Sequence, residues 1–391
     1  MDKGNIIRQA IAGWPIMKTV YLFRGNHPLY ESLVNNPPSS VTYLPPSGGG
    51  GREEYSLYNP GISIIRRAID GSFSMAGCPR FIPVMRKYDL VHSARGFLIV
   101  GKNPYVVDFE HVASFAGMRH ARLKSRTFRS VLNRFLQSKN CKALLPHSKA
   151  AMRTLDLVTD DPVILNKATI LYPCVSLPQP RSVLKDDSKP SILYIGEYYW
   201  KGGREVLGAC MKLASKMDFK LIFVANWIHP PQSLVAKAKE LMDLRYIEGP
   251  IPRKKLFEDL YPSVDVFAMP TCLDTFGYVF LEAMAHRLPC IGTNHFAVPE
   301  IIENDVTGLL VDPAVSFFDS TGLGHPEIEI EKKESPATES QLVSALERVL
   351  SSRTLRGSMG RAGFDAVETG KFSVRRRNAI LGEVYEKAID R

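Results

Sequence analysis

The chain has 391 residues, 45% hydrophobic and 23% charged, a balance that supports folded cores and excludes a disordered or fibrous polymer. Its net charge of +10 is unevenly divided: residues 1–185 carry 25 Lys and Arg against 11 Asp and Glu, and residues 186–391 carry 25 against 29. A basic first half beside a slightly acidic second indicates two domains, the first facing something anionic such as a membrane surface, a nucleic acid or a phosphorylated substrate. No window approaches the roughly 18–20 apolar residues of a spanning helix. Residues 1–13 hold Asp2, Lys3 and Arg8 where a leader would be apolar, so the expected location is cytoplasmic, with peripheral contact at the inner face of a membrane as an open option. Six scattered cysteines without C-x-x-C or Cys/His spacing are expected to be free, mostly buried thiols, and no metal site is expected.

In chain order, residues 19–23 (TVYLF), 90–92, 104–108 (PYVVD) and 141–145 (CKALL) are expected strands, with helical periodicity between some of them. Residues 35–52 (NNPPSSVTYLPPSGGGGR) cannot form a helix. The glycines at 48–51 follow no strand directly and precede no G-x-G-x-x-G or G-K-[ST], so they are expected to form a loop and not a phosphate cradle. Residues 119–135 (RHARLKSRTFRSVLNRF) contain six Arg or Lys and no acid, with Phe128, Val131, Leu132 and Phe135 at helical spacing. This is either a scaffold helix that solvates its charges or a surface for anionic lipid head groups. Nucleic acid ranks below both, since no platform of stacking aromatics accompanies the charge. Residues 178–190 look like a linker.

From residue 191 strand and helix alternate strictly. Strands are expected at 191–196, 219–225, 245–249, 264–270, 289–293 and 308–312, and helices near 205–217, 233–242, 254–261, 277–286 and 299–303. Such alternation is the mark of a parallel, doubly wound sheet, whose ligands bind beyond the carboxyl ends of the strands. Residues 314–340 break the pattern and are expected to be a surface insertion of no catalytic importance. A final amphipathic helix at 374–389 is basic at Arg375, Arg376 and Arg377.

The densest signal is residues 270–313, PTCLDTFGYVFLEAMAHRLPCIGTNHFAVPEIIENDVTGLLVDP. Asp274 lies in a strand-to-helix turn and Glu282 eight residues on. Thr275 can cap that helix, leaving the amides of Phe276, Gly277 and Tyr278 free at its positive end, a site suited to a diphosphate. Gly277 allows close approach of a ligand to the backbone.

Taken whole, the segment resembles the signature of glycosyltransferase family 4, the group 1 glycosyl transferases of GT-B fold. That signature runs E-x7-E, L-E-A-M-A-x-G-x-P-V, G-x-x-E-I-I and T-G-L-L-V-x-P; here it reads Asp274 to Glu282 as D-x7-E, LEAMAHRLP at 281–289, VPEII at 298–302 and TGLLVDP at 307–313. Upstream, YIGEYYWKGG at 194–203 resembles the family's G-R-x-x-x-K-G turn, and ALLPHSKA at 143–150 its closing strand and serine. The resemblance covers most of residues 140–313. It implies two Rossmann-like α/β domains facing a central cleft: residues 1–185 on the acceptor side, 186–371 for the nucleotide sugar, and 372–391 as a helix crossing back to the first.

The resemblance also implies roles. Asp274 would contact the donor sugar, Glu282 the ribose hydroxyls, and Lys201, between Gly196 and Gly202 in its turn, would neutralise the diphosphate, on which negative charge builds as it departs. Glu300 would lie near diphosphate and sugar. His111, following PYVVD, stands about where the family places an active-site histidine, with Glu110, His120 and His92 as competitors. Two features depart from the family: Asp274 is one methylene shorter than Glu, and Glu197 follows Gly196 where the diphosphate arginine should stand, leaving Arg204 or Arg253 to supply that charge. The implied function is transfer of a sugar from a nucleotide-diphosphate donor to a hydroxyl acceptor, a lipid-linked one among the candidates. Retention of configuration and independence of metal and cofactor follow from the same likeness. The competing readings are a GT-B epimerase or phosphorylase, and a degenerate transferase that binds membranes or partners without turnover.

Overall fold

The computed structural model describes residues 17–23, 27–44, 77–178 and 189–390. The glycines at 48–51, the residues before 17 and most of the expected linker lie outside these.

Two wholly parallel sheets organise the chain. The first contains β1 (Lys18–Phe23), β2 (Val41–Leu44), β4 (Leu90–Ser93), β6 (Tyr105–Phe109) and β7 (Cys141–Pro146) in the order β2-β1-β4-β6-β7. A small parallel pair, β3 (Phe81–Pro83) with β5 (Leu98–Val100), lies apart. The second sheet contains β8 (Ser191–Gly196), β9 (Lys220–Ala225), β10 (Asp243–Glu248), β11 (Val266–Ala268), β12 (Cys290–Thr293) and β13 (Gly308–Val311) in the order β10-β9-β8-β11-β12-β13. Every residue of β6 and of β8 is buried, as strands covered on both faces must be, which is why they read as unbroken apolar runs.

Strand order fixes where a ligand can enter. The chain runs outward from β1 to β2 and then returns to lay β4 on the other side; it does the same from β8 through β10 before laying β11 beside β8. Helices on the two sides of each reversal leave a crevice beyond the carboxyl ends. One crevice therefore opens after β1 and β4, the other after β8 and β11.

Among the described residues, the α-helices of five or more residues are α1 (Pro28–Asn35), α2 (Arg126–Gln137), α3 (Lys149–Arg153), α4 (Gly203–Leu213), α5 (Gln232–Leu241), α6 (Tyr278–Ala285), α7 (Pro336–Leu350), α8 (Arg353–Glu368) and α9 (Val374–Ile389), with shorter turns of helix at Pro162–Leu165 and Val298–Ile301. Serine hydroxyls cap α2, α3, α7, α8 and α9 by accepting from a first-turn amide. The basic stretch is not one helix: residues 120–124 form a 3-10 turn, and Ser125 starts α2 afresh. Phe128, Leu132 and Leu136 of α2 are buried, so its apolar stripe belongs to the scaffold. The helix expected at 254–261 is a broken succession of single turns from Arg253 to Ser263, and Val41–Leu44 is a strand that the Pro-rich context hides. Of the six cysteines five are buried, and all are free. No helix of the described residues is long and apolar enough to cross a membrane.

Helix α9 packs on β4 and β7 of the first sheet. Its buried Arg377 donates to Ser32 Oγ at 3.1 Å and to the Asn36 carbonyl at 2.5 Å. About two turns beyond, the Tyr385 hydroxyl meets His92 Nδ1 at 2.5 Å and the Tyr43 hydroxyl at 3.0 Å. Replacing Tyr385 by Phe strands the buried His92 Nδ1 and the half-buried Tyr43 hydroxyl, and a lost buried partner costs about 1–3 kcal/mol. Urea unfolding of Tyr385→Phe is expected to show that loss with an unchanged m-value.

Candidate active site between the two sheets

The turns after the strands bring the chemistry together. A narrow cavity is lined by His27, Arg95, Glu110 and His147, which follow β1, β4, β6 and β7, and by Asp274, Phe276, Gly277 and Tyr278, which follow β11. The two crevices thus face each other, and Asp274 is shared between them.

From the second sheet, Lys201 and Asp274 flank the reversal at β8 and β11. Lys201 Nζ donates to Asp274 Oδ2 at 2.8 Å and to the Leu273 carbonyl at 2.6 Å, while Asp274 Oδ1 accepts from the Phe276 amide at 3.2 Å. Glycine is required around this lysine. A Cβ on Gly196 would sit 2.6 Å from Lys201 Cβ, and one on Gly202, whose φ is 76°, would sit 2.3 Å from the Pro270 carbonyl oxygen. Helix α6 then begins with Gly277 at φ 93° as its N-cap and no side-chain cap. Thr275 therefore does not cap the helix, contrary to the sequence-based expectation, and Asp274 ties the turn through Phe276. Among the described residues the Gly277 and Tyr278 amides have no hydrogen-bond partner, which leaves the positive end of α6 open to an anion.

Glu282, one turn into α6, faces inward. Its Oε1 accepts from Arg253 Nε at 2.7 Å and its Oε2 from the Tyr261 hydroxyl at 3.1 Å. Burial pushes its carboxyl above the ordinary value, and the guanidinium and hydroxyl oppose that rise. Arg253 also reaches Glu31 of α1 at 3.4 Å, so its charge is already committed to two carboxylates. Arg204 is likewise unavailable: it pairs with Glu205 at 2.9 Å and donates to the carbonyls of Ile330, Glu331 and Lys333. Neither arginine stands where the missing diphosphate cation was expected. Glu197 folds back on its own turn and accepts from the amides of Tyr199, at 3.1 Å, and Trp200, and burial raises its carboxyl pKa.

The first sheet supplies what the sequence did not single out. Asp108 is fully buried; its Oδ1 accepts from the Tyr30 hydroxyl at 2.9 Å, the Arg95 amide at 2.8 Å and His147 Nε2 at 3.4 Å, and its Oδ2 from His92 Nε2 at 3.2 Å. Burial works against this carboxylate, but the hydrogen bonds from His147 and His92 outweigh it and hold the pKa well below the ordinary range. The result is a pinned turn: Arg95, at φ 54°, is aimed into the cavity and pairs with Glu110 at 3.1 Å. Burial lowers His27 to about 4 against the pull of Glu110.

His111 is placed elsewhere. It is buried, its Nδ1 accepts from the Ala113 amide at 2.9 Å, and its Nε2 donates to the Gly322 carbonyl at 2.6 Å. Phe296 and Phe318 stack on it at 5.6 and 5.3 Å. His120 accepts from the Gly324 amide at 3.1 Å. Both histidines hold residues 317–325, so that stretch is an interdomain strap with buried Phe317 and Phe318 and not a mere surface insertion. Glu110, the neighbour of His111, is the residue that lines the cavity. Glu300 also bridges the sheets: its carboxylate accepts from the Lys149 and Ala150 amides at 2.8 and 2.7 Å and from the Tyr172 hydroxyl at 2.7 Å, capping α3 from the opposite domain. Among the described residues no cluster of three or more His, Cys, Asp or Glu could hold a metal ion.

Against this geometry, residues 189–320 match the family described as Glycosyl transferases group 1. This segment is a group 1 glycosyltransferase domain. It is similar to the N-acetyl-alpha-D-glucosaminyl L-malate synthase of Bacillus anthracis, 28% identical over 134 residues, or 34% of this chain and 33% of that protein. It is also similar to the D-inositol 3-phosphate glycosyltransferase of Arthrobacter sp. (strain FB24), 31% identical over 130 residues, 33% of this chain and 25% of that one. The matches span about a third to two fifths of the length of the leading curated relatives. The whole fold is similar to a glycosyltransferase from Rickettsia africae ESF-5, with TM-score 0.61 and 14% identity over 95% of this chain and 99% of that one. Anabaena Alr3699/HepE, solved with UDP and glucose, gives TM-score 0.58 at 13% identity over the same shares. The architecture is GT-B.

Burial holds His111 at about 3 and His120 at about 4, below their ordinary 6.5. The unfolded chain then takes up protons first as pH falls, so the contribution of these histidines is complete above about pH 6.5 and declines between there and about pH 4 for His120 and about pH 3 for His111. Each histidine contributes a slope of up to about 1.4 kcal/mol per pH unit. Thermal unfolding at pH 7, 6 and 5 is expected to show a falling Tm, with a shallower fall in His111→Gln.

Proposed function

We propose that the protein transfers a glycosyl group from a nucleotide-diphosphate sugar to a hydroxyl acceptor. The observation that carries this is the Lys201–Asp274 pair at the reversal of the second sheet, beside the open amides of α6, within a domain of group 1 type. The UDP complex of the Anabaena neighbour supports a nucleotide-sugar donor.

In this reading the diphosphate lies on the α6 N-terminus and takes Lys201 away from Asp274. Asp274, released, accepts a hydroxyl of the sugar. Arg95, across the cleft, supplies the second positive charge that Glu197, Arg204 and Arg253 do not. The bond from the sugar's anomeric carbon to the phosphate oxygen breaks, and the acceptor oxygen forms the new bond at that carbon. The acceptor proton passes to the departing diphosphate, which lies on the same face, and configuration is retained. Charge on the leaving oxygens grows in the transition state, so fixed cations stabilise it more than the bound donor. Glu282 has lone pairs beyond those used by Arg253 and Tyr261 and would take a ribose hydroxyl there. Solvated basic residues of the first domain would favour an acceptor at an anionic surface.

Thermal unfolding with a panel of nucleotide sugars tests the donor site, since a ligand of the native state raises its apparent stability. One nucleotide class is expected to raise Tm in the native protein, and Lys201→Ala and Asp274→Asn to weaken half-saturation at least tenfold. Equal shifts in all three proteins, or no shift with any nucleotide sugar, would contradict the assignment.

A further inference from the structure

A cavity of about 480 Å³ lies at the end of the second sheet opposite the cleft. Its walls are residues 189–190, 262–265 and 286–289, which precede β8, β11 and β12, together with the first turn of α8. The donor crevice lies beyond the carboxyl ends of the same strands, so the length of the strands separates the two, and they share no lining residue.

The charge of this cavity is unbalanced. Lys189, Arg287, Arg353 and Arg356 line it against one carboxylate, Asp265. That carboxylate is tied to β8: its Oδ2 accepts from the Ser191 amide and hydroxyl, both at 2.9 Å, and its Oδ1 stands 3.8 Å from Arg356 Nε. Lys189 pairs outside the cavity with the exposed Asp243 and Asp218, at 3.0 and 3.4 Å. With that group set aside, three arginines still face one aspartate. Burial lowers the pKa of His286 on the same wall, so it adds no charge at neutral pH.

Two of the arginines hold donors in reserve. Arg356 gives Nη1 to the carbonyls of Val349, at 3.1 Å, and Leu350, and its Nη2 has no hydrogen-bond partner among the described residues. Arg287 makes no ion pair and no side-chain hydrogen bond among the described residues; its guanidinium lies 3.8 Å over the Phe364 ring of α8. The backbone marks Arg287 as well. Its φ is 60°, in the left-handed region that glycine occupies freely and a residue with a Cβ enters at a cost. The family pattern L-E-A-M-A-x-G-x-P has glycine there, and this chain reads LEAMAHRLP. An arginine kept where glycine suits the turn points to a use for its side chain. Helix α8 holds that turn in place, since a Cβ on Gly360 would lie 2.0 Å from the Arg287 carbonyl oxygen.

Unused guanidinium N–H groups match the oxygens of a phosphate, and the positive end of α8, a helix of 16 residues, faces the same space. The volume exceeds that of a bare phosphate ion, and Pro190, Pro262, Val264, Leu288 and Pro289 give the remainder an apolar wall suited to the organic part of a small ligand. We propose that this cavity binds a phosphate monoester, with Arg287, Arg353 and Arg356 as its cationic contacts, at a site separate from the donor cleft. The proposal does not rest on the transferase reading. The same phosphate chemistry is carried by a soluble ester and by the head group of phosphatidic acid.

Glycerol 3-phosphate, followed by thermal unfolding, is the first probe. It is expected to give a saturable rise in Tm in the native protein and in Lys201→Ala, with half-saturation weakened at least tenfold in Arg287→Gly/Arg353→Gln. Glycine suits the left-handed turn and position 353 is exposed, so the variant is expected to fold; Arg287→Gly alone, expected to weaken half-saturation at least threefold, is read beside it. Nucleotide-sugar stabilisation should be unchanged in both variants. Flotation with phosphatidic acid vesicles tells the two sources apart. A saturable shift with flotation equal in native and variant proteins supports a soluble ester, and flotation abolished in the double variant supports the lipid head group. An absent shift together with flotation indifferent to the substitutions, a shift that survives them, or a shift that vanishes in Lys201→Ala would overturn the proposal.

Discussion

The arrangement depends on an electrostatic constraint at one point: a lysine and an aspartate held 2.8 Å apart across the reversal of the second sheet. Parallel strand order dictates that β8 and β11 are neighbours whose following turns diverge, and a crevice opens where they part. Lys201 and Asp274 occupy its two lips. Gly196 and Gly202 are fixed by the need to bring the lysine that close, because a Cβ at either position collides with the lysine stem or with Pro270. The pair neutralises itself, and the open end of α6 beside it does not. On the proposed reading, an incoming diphosphate competes for the lysine while the backbone supplies the remaining attraction.

The same logic of paired charges runs through the cleft. Arg95 pairs with Glu110, and Arg253 with Glu282 and Glu31. Glu300 closes the cleft at its far side on the amides of α3. These contacts, with the histidine-held strap, tie two sheets that could otherwise move independently. The Arg95–Glu110 pair is partly exposed and individually weak, so on the proposed reading a donor that offers a better partner can exchange it at small cost, whereas the buried Glu282 keeps Arg253 engaged. The buried Asp108 network is a different case. Its four hydrogen bonds lock the first-domain turn and rely on α9, through Tyr385 and His92, for completion. The C-terminal helix thus supports the geometry of a cleft it does not line.

Much of the second sheet was legible because its strands, apart from the polar edge strand β10, are short apolar runs and each following turn carries Gly, Pro or Asp. The pairing of Lys201 with Asp274 was legible only as two separate motif positions, 73 residues apart in sequence. What stayed hidden was side-chain direction. His111 and Glu110 are adjacent, and the chain places the glutamate in the cavity and buries the histidine under Phe296 and Phe318. Arg204 and Arg253 carry the right charge near the right turns, but Arg204 is engaged by its neighbour Glu205 and by carbonyls of Ile330, Glu331 and Lys333, and Arg253 by Glu282 and Glu31. Residues 314–340 lack periodicity, and nothing in their composition reveals that two phenylalanines from the strap insert between the domains. Arg95 stands in no motif; its role follows from a buried aspartate 13 residues downstream that pins its amide.

The most direct measurement is a crystal structure with a nucleoside diphosphate bound. The account predicts that Lys201 Nζ leaves Asp274 Oδ2 for a phosphate oxygen, that the Gly277 and Tyr278 amides point at the same group, and that Arg95 approaches it from the other domain. A nucleotide bound elsewhere, with the lysine still paired to the aspartate, would contradict it.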